Sequence, residues 1–341
     1  MEKLVSSWSI NVQSLPENYV LPPGQRPGKL IVPPCKSLPV VDLGKATSPD
    51  RAETIQKILE ASWEFGFFQV INHGVSDNLI NESRSIFSEF FNMPAEDKAS
   101  LYSTDIDKSC ILYTSNLNYD IEEVHLWRDN LRHPCHPLEE YVQFWPEKPT
   151  KYREIVGAFS VEVRKLSLKI LDLISEGLGL EQGYFGGELS KRQLLSVNHY
   201  PRCPDPSLTL GLPKHIDPCL IAVLLQGDVD GLQVYKDGQW LGVEPLPYAF
   251  VINIGHQLQV ISNGKLRGAE HRVVTNPREA RTTPTTFINP SPDCVIQPAE
   301  ALVNASNPPL YKAFKFIDFF KNFTAANGDP ETALNPYKLE A

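Results

Sequence analysis

The sequence lacks the long apolar runs that would carry a chain into or across a membrane. No stretch approaches the roughly 20 apolar residues of a membrane-spanning helix. Residues 1–20 contain neither an apolar core of signal-peptide length nor a small-residue cleavage site. We therefore expect a cytoplasmic protein without a membrane partner.

Paired cysteines and clustered positive charge are also absent. The 6 cysteines form no Cys-x-x-Cys pair, which in a chain this long is typical of reduced thiols in a reducing compartment. The 41 Asp and Glu residues outnumber the 32 Lys and Arg residues, giving a net charge of -9. Because no cluster of Lys and Arg would make a basic groove, we expect no nucleic-acid partner.

What is present indicates a folded protein whose character changes along the chain. Hydrophobic residues make up 42% and charged residues 21%, which argues against disorder. After an arm at residues 1–36, helical periodicity predicts helices at 50–65, 76–101, 152–176 and 311–323. Short β-rich runs are predicted at 38–43, 67–71, 194–200, 220–225, 232–235, 250–254, 260–262, 271–275 and 282–288. The dense strands, with hairpin signals at 237–238 and 263–264, predict a sandwich or jelly roll.

Two histidines and one carboxylate form the most informative pattern. One residue separates His215 from Asp217, so on a β-strand both side chains would point the same way. His271 lies in another β-rich run and would arrive from a distant strand. Two imidazoles and one carboxylate on one face of an octahedron leave three positions open, as a non-haem Fe(II) centre requires. The pattern predicts that these three residues are the metal ligands and the catalytic set.

An arginine and a hydroxyl follow the last of these residues. Arg281 and Thr283 are two positions apart, so they also share a strand face. A guanidinium fork beside a hydroxyl is a good receptor for a carboxylate. Together with the metal set, this pair predicts an oxygenase that uses a small keto-diacid.

Two other groups of potential ligands have a structural explanation. His133, Cys135 and His136 supply too few ligands for a zinc knuckle, and the intervening prolines predict a turn. Cys219 continues the alternation of His215 and Asp217 and could face the metal. Pro218 interrupts that alternation, so packing in the core is expected for this thiol.

Several segments resemble the plant-type Fe(II)/2-oxoglutarate-dependent dioxygenases, over most of the chain. Besides the metal pattern they are LPVVDL at 38–43, FGFFQVINHG at 65–74, WRD at 127–129, NHYPRCPDP at 198–206 and VINIG at 251–255. Within this family the chain is most similar to the hyoscyamine hydroxylase-like and salicylate hydroxylase-like branches. The resemblance implies a mostly β core, the double-stranded β-helix or jelly roll, wrapped by N-terminal and C-terminal α-helices. We expect a helix-rich region at 1–190, the core at 191–300 and a helical tail covering the substrate pocket at 301–341.

The resemblance also implies roles for individual residues. Asn198 and Tyr200 would help Arg281 and Thr283 to hold 2-oxoglutarate, while Fe(II) and O2 complete the reaction and ascorbate serves as reductant. The substrate pocket would be lined by the C-terminal helix and by Asn130, Arg132, Ser196, Phe287 and Asn289. We expect a monomer whose partner is a small molecule.

The expected reaction is hydroxylation of a specialised metabolite such as an alkaloid or phenolic, with release of succinate and CO2. The ligand set alone leaves desaturation, ring closure and O-demethylation open. An oxidase of the same fold that does not consume 2-oxoglutarate, or a non-catalytic binding protein, are further alternatives. The sequence does not identify the substrate.

Overall fold

Two main β-sheets and a set of helices make up the fold. The computed structural model describes residues 4–326 and 329–339 of the chain. The α-helices of this part are α1 (Val5–Trp8), α2 (Arg51–Glu64), α3 (Asp77–Asn92), α4 (Ala95–Lys98), α5 (Leu138–Tyr141), α6 (Tyr152–Gly177), α7 (His256–Ile261), α8 (Phe316–Ala325) and α9 (Pro330–Leu334). The strands are β1 (Val40–Asp42), β2 (Phe67–Ile71), β3 (Ile111–Thr114), β4 (Asp129–His136), β5 (Arg192–Tyr200), β6 (Leu212–His215), β7 (Ile221–Leu225), β8 (Leu232–Lys236), β9 (Gln239–Gly242), β10 (Phe250–Ile254), β11 (His271–Val273), β12 (Arg281–Asn289), β13 (Val295–Ile296) and β14 (Phe314–Lys315).

The larger sheet combines strands from both halves of the chain. Its order is β1-β2-β10-β7-β12-β5-β4-β3, and β1 and β2 run parallel. A four-stranded sheet has the order β6-β11-β8-β9, and β13 pairs with β14. The mostly β core with helices agrees with the expected jelly roll.

Hydrophobic clusters cover both faces of the larger sheet. On one face, Val234 and Val273 of the smaller sheet belong to the same buried cluster as Tyr200 and Val251 of the larger sheet. The other face carries a larger cluster that includes residues of α2, α3 and α6. Helix α6 contacts β7 and β12 as well as α2 and α3. The larger sheet is therefore a middle layer, and the space between the two sheets is where the predicted site residues meet.

Helix α6 confirms the longest helical period of the sequence. It runs from Tyr152 to Gly177, one residue beyond the predicted end. A Cβ atom on Gly177 would lie 2.6 Å from Ile55 Cγ2, so the glycine allows α2 to pack closely against α6. Gly179, with φ +72°, then turns the chain away from the helix axis.

One of the two predicted hairpin turns is confirmed and the other is wrong. Asp237 and Gly238 have φ 50° and 82° and join β8 to β9, as a type I′ turn does. Asn263 and Gly264 also have positive φ, but they follow the end of α7. The strand predicted at 260–262 is therefore wrong, because a short apolar run cannot distinguish a buried helix from a buried strand.

The turn predicted from the prolines near residue 134 is also wrong, because this segment belongs to β4. Pro134 pairs with Leu194 of β5, and the register shifts between Pro134 and His136. Strand β3 pairs with β4 over residues 129–132. Pro134 therefore lies beyond the end of the β3–β4 pairing and next to a register shift, a position in a sheet where proline is tolerated.

Two predicted helices have different boundaries in the structure. The helix predicted at 76–101 ends at Asn92, where Met93 is extended before Pro94. The helix predicted at 311–323 begins only at Phe316, because residues 314–315 pair with β13. No helix in the described residues is long and apolar enough to cross a bilayer.

The N-terminal arm is attached to the start of β4 through a buried carboxylate. Asp129 is 0% exposed and accepts backbone hydrogen bonds from Val5 at 2.9 Å and Ser6 at 2.8 Å. These are N–H groups of the first turn of α1, which have no partner within the helix. Trp8 of the same helix packs edge-on against Trp127, with ring centroids 5.4 Å apart.

Replacing Asp129 with alanine is expected to lower the free energy of unfolding by about 3 kcal/mol, because two N–H groups lose their acceptor. Urea unfolding followed by circular dichroism measures this loss. Asp97→Ala is the control, since Asp97 pairs with Lys148 at the surface and exposed pairs contribute roughly 0–1 kcal/mol. Equal losses in the two variants would contradict a special role for Asp129.

Candidate metal and co-substrate site

Two paired strands of the smaller sheet bring the predicted metal ligands together. His215 ends β6 and His271 begins β11, and the two residues are direct partners in the antiparallel register. Asp217 lies in the loop after β6, so the expectation that it shares a strand with His215 is wrong. Its carboxylate oxygens lie 3.5 Å from His215 Nε2 and 3.8 Å from His271 Nε2. One ligand atom from each residue lies within 4.8 Å of the other two.

Both imidazole rings are oriented by backbone carbonyls. Nδ1 of His215 lies 2.8 Å from the carbonyl oxygen of Pro213, and Nδ1 of His271 lies 3.0 Å from that of Ala269. A carbonyl oxygen can only accept a hydrogen bond, so each Nδ1 carries the proton and each Nε2 keeps its lone pair. Since both Nε2 atoms lie beside the Asp217 carboxylate, this arrangement offers two nitrogens and one oxygen to a single ion. These donors fit Fe(II), which is bound in this way in non-haem oxygenases.

The electrostatics keep Asp217 and His271 in the forms that bind a cation. Burial raises the pKa of Asp217, but His271, His215 and Asn253 outweigh this effect and lower it to about 2. Burial, with the neighbouring His215, lowers the pKa of His271 to about 4. A carboxylate and a neutral imidazole are therefore available at neutral pH.

Asn253 is a site residue that sequence reasoning did not identify. It is the fourth of the five residues of β10, is 2% exposed, and its Nδ2 donates to Asp217 Oδ2 at 3.1 Å. The same nitrogen is 3.5 Å from His271 Nε2. The sequence did contain a signal for it, an amide in an otherwise apolar strand. A buried amide requires a hydrogen-bond partner, which indicates a polar group nearby.

We expect Asn253→Ala to weaken metal binding by about 10- to 100-fold, the usual cost of losing a hydrogen bond that orients a ligand. Titration of the purified variant with Co(II) or Mn(II) measures the affinity. The unfolding midpoint of the metal-free protein shows whether the fold persists. Wild-type affinity in a folded variant would show that Asn253 does not orient Asp217.

A cationic group lies on the adjoining strands of the larger sheet. Arg281 pairs with Tyr200 and Thr283 pairs with Asn198 in the β12–β5 register, so the predicted co-substrate residues are neighbours. Arg281 is 2% exposed, and its Nε donates to the carbonyl of Val229 at 3.0 Å. Its two terminal nitrogens have no hydrogen-bond partner among the described residues.

A buried guanidinium whose two terminal nitrogens lack partners indicates that an anionic ligand belongs at this position. Burial lowers the pKa of Arg281, and the charges of Tyr200 and Asp230 oppose this effect. The pKa of the Tyr200 hydroxyl is raised by burial, while Arg128, Arg281 and Thr283 oppose the rise. A carboxylate such as that of 2-oxoglutarate would accept from both terminal nitrogens of Arg281 in a bidentate pair.

Asn198 belongs to a polar network that the sequence indicated only in part. Its Oδ1 accepts from Asn130 Nδ2 at 2.8 Å and from Arg128 Nη1 at 3.0 Å. Asn130 Nδ2 also lies 2.7 Å from Ser196 Oγ. Arg128 was missed as a site residue, although it is the central residue of the WRD segment. The network fixes the orientation of the Asn198 amide next to Thr283.

A cavity of about 200 Å³ extends from His215 toward helix α8. Of the residues predicted for a substrate pocket, Arg132 lines this cavity, and α8 contributes Phe320 and Phe323. Other predicted pocket residues are not among those lining this cavity: Asn130, Ser196, Phe287 and Asn289. Their role in substrate binding stays a prediction.

The two alternative ligand groups are structural in this fold. His133 Nε2 lies 2.9 Å from the Tyr152 hydroxyl, and Cys135 Sγ lies 3.5 Å from His133 Nδ1. Cys219 is fully buried, and burial raises the pKa of its thiol well above the ordinary value. Within residues 4–326 and 329–339, neither group belongs to a cluster of three or more potential metal ligands.

Comparison with known proteins agrees with this geometry. A family model described as the 2OG-Fe(II) oxygenase superfamily matches residues 191–290, and one described as the N-terminal region of a non-haem dioxygenase in morphine synthesis matches residues 38–148. Hyoscyamine 6-dioxygenase from Hyoscyamus niger is 42% identical and the alignment covers 99% of each chain. Protein DOWNY MILDEW RESISTANCE 6 from Arabidopsis thaliana is 45% identical, covering 98% of each chain. The crystal structure of JOX2 in complex with 2OG, Fe and JA has a TM-score of 0.84 and 34% identity, covering 97% of this chain and 95% of that chain. The chain therefore belongs to the 2OG-Fe(II) oxygenase superfamily and is a 2-oxoglutarate-dependent dioxygenase.

Proposed function

We propose that this enzyme hydroxylates a small specialised metabolite, such as an alkaloid or a phenolic, while 2-oxoglutarate is converted to succinate and CO2. The observation that carries the proposal is the convergence of His215, Asp217 and His271 within 4.8 Å, together with the two buried terminal nitrogens of Arg281 that lack partners among the described residues. Relatives named hyoscyamine 6-dioxygenase and flavanone 3-dioxygenase 2, at 42% and 43% identity, support the class of substrate.

In this proposal His215, Asp217 and His271 hold Fe(II), and the bound ion supplies the redox chemistry by which O2 is used. Arg281 and Thr283 bind the distal carboxylate of 2-oxoglutarate through charge-assisted hydrogen bonds. Asn198 and Tyr200 complete the receptor, with the Asn198 amide held by its neighbours. Ascorbate would serve as an external reductant.

The substrate would occupy the cavity next to His215. Three segments of the chain would have different structural roles around this cavity. The helix-rich region at 1–190 would pack on a core formed by residues 191–300 and would add β1–β4 to its larger sheet, and the described part of the tail at 301–341 would cover the pocket. Phe320 and Phe323 of α8 support the last assignment, since both line the cavity. We also propose that helices from both ends of the chain wrap the jelly roll and that the enzyme acts as a cytoplasmic monomer. Asn130, Ser196, Phe287 and Asn289 would affect substrate choice.

The proposal is tested by incubating the Fe(II)-loaded protein with 2-oxoglutarate, ascorbate, O2 and a panel of alkaloids and phenolics. Mass spectrometry should detect a product heavier by one oxygen atom, formed together with succinate. Omitting 2-oxoglutarate is the control, because an oxidase that does not consume it would remain active. If no compound of the panel led to succinate in the complete mixture, this result would contradict the proposed function.

A further inference from the structure

The cavity beside His215 has an unbalanced charge. Arg128 and Arg132 both line it. No Asp or Glu is present among the described lining residues, and the others are apolar or polar side chains and the imidazole of His215. A cavity wall with two guanidinium groups and no carboxylate favours an anionic guest over a cationic one.

The two arginines differ in how fully their hydrogen-bond donors are used. Arg128 donates from Nε to the carbonyl of Ser115 at 2.9 Å and from Nη1 to Asn198 at 3.0 Å, so it belongs to the co-substrate network. Neither arginine forms an ion pair within the part of the chain that the structure describes. Arg132 is therefore the cation with donors left for a guest.

The hydroxyl of Tyr113 adds a second polar group beside Arg132. Strands β3 and β4 are paired, and Tyr113 and Arg132 both line the cavity, so a phenol and a guanidinium share one wall. A phenol hydroxyl can donate its proton to an anion. Burial lowers the pKa of Arg132, so an anion in the cavity would stabilise its charged form.

The remaining walls define the rest of the guest. Phe320 and Phe323 of α8 and Leu126 and Leu212 contribute apolar surface, while His215 marks the end of the cavity nearest the metal ligands. A ligand that complements both the cationic wall and the apolar wall of the cavity has an apolar or aromatic body and one anionic group. Its body would lie against α8 and extend toward the metal ligands.

We infer that the substrate is a small carboxylic acid whose carboxylate binds Arg132 and Tyr113 and whose apolar body points toward His215. This inference rests on the proposed function and narrows its substrate class from metabolites in general to organic acids. It requires no chemistry beyond the hydroxylation already proposed. The carboxylate orients the substrate in the cavity and is not itself changed in the reaction.

Matched acids and esters test this inference without knowledge of the natural substrate. The full chain, loaded with Fe(II) and saturated with 2-oxoglutarate under anaerobic conditions, is dialysed against benzoate, cinnamate and 3-phenylpropionate and against their methyl esters. We expect at least one acid to bind about 10- to 100-fold more tightly than its ester, the value of a hydrogen bond to a charged group.

Three variants show whether Arg132 causes the preference. Arg132→Gln should reduce acid binding to the level of the ester, and Arg132→Lys should retain part of the preference. Arg192→Gln is the matched control. Besides burial, the charge of Arg192 lowers the pKa of Arg132, but Arg192 does not line the cavity. It should leave the preference unchanged. Unaltered 2-oxoglutarate binding would show that each variant is folded.

Succinate formation without added substrate separates this inference from the proposed function. If the wild-type enzyme forms succinate but binds acids no better than esters, or binds none of the three acids at millimolar concentration, the acid inference is wrong and the oxygenase assignment stands. Persistence of the preference in Arg132→Gln would also overturn it. Absence of succinate formation with every compound of the alkaloid and phenolic panel would instead contradict the proposed function.

Discussion

Asp217→Ala is expected to abolish the formation of succinate from 2-oxoglutarate. Asp217 is the carboxylate of the three-residue cluster, and its oxygens lie beside the Nε2 atoms of His215 and His271. Without it, two neutral imidazoles face a divalent cation with no compensating negative charge. The loss of activity should exceed the roughly 10- to 100-fold cost of losing an orienting hydrogen bond outside the ligand set.

Metal content and succinate should be measured on the same preparation of this variant. Equilibrium dialysis followed by atomic absorption reports the bound iron, and chromatography reports succinate. Asp293→Ala is the matched control, since Asp293 is an exposed carboxylate that pairs with Lys315 and does not belong to the ligand cluster. A folded Asp217→Ala protein with wild-type iron content and turnover would defeat the ligand assignment.

The metal site could be predicted from the sequence because two of its residues are close in the chain and because its combination of residue types is rare. The short spacing of His215 and Asp217 restricts their separation in any conformation, and few functions require two imidazoles and a carboxylate. The local structure was less predictable, since Asp217 follows β6 and does not belong to it. The antiparallel pairing of His215 with His271 depends on strand order, which no local pattern encodes.

Residues that act through other residues could not be predicted in the same way. Asn253 occurs in a buried apolar strand, and only the packing of that strand identifies Asp217 as its partner. Arg128 lies beside Asp129, which suggests a local ion pair. In the structure Asp129 instead holds the N-terminal helix, and Arg128 reaches Asn198 on the neighbouring strand. Tertiary contacts decided both assignments.

The errors in secondary structure have a common physical origin. Prolines near residue 134 predicted a turn, but strand β4 accommodates them where its pairing with β3 has ended. The apolar run at 260–262 predicted a strand, but the chain forms α7, whose residues are mostly buried. In both segments the environment supplied by other strands and helices outweighed local preference. The helix of residues 152–177 was predictable because its amphipathic period extends over many turns.

Arg281→Leu is expected to raise the concentration of 2-oxoglutarate required for half-maximal activity by about 30- to 5000-fold, the usual range for removing one partner of a buried charge pair. Arg281 has two terminal nitrogens without partners, which a carboxylate would satisfy. The maximal rate at saturating 2-oxoglutarate should fall less, because the metal ligands are intact. Direct titration of 2-oxoglutarate by calorimetry gives the affinity independently of turnover.

The same variant should keep or increase the stability of the ligand-free protein, which distinguishes a binding role from a structural one. Replacing an uncompensated buried cation with an apolar side chain removes a desolvation cost, although the hydrogen bond to Val229 is lost. Arg272→Leu is the matched control, because Arg272 donates to Gln233 at 2.8 Å and stacks 4.1 Å from the centre of the Trp240 ring. That variant should lower the melting temperature and leave 2-oxoglutarate affinity unchanged. If Arg281→Leu instead destabilised the protein with no change in affinity, its guanidinium would be structural, and the carboxylate of 2-oxoglutarate would have to bind elsewhere.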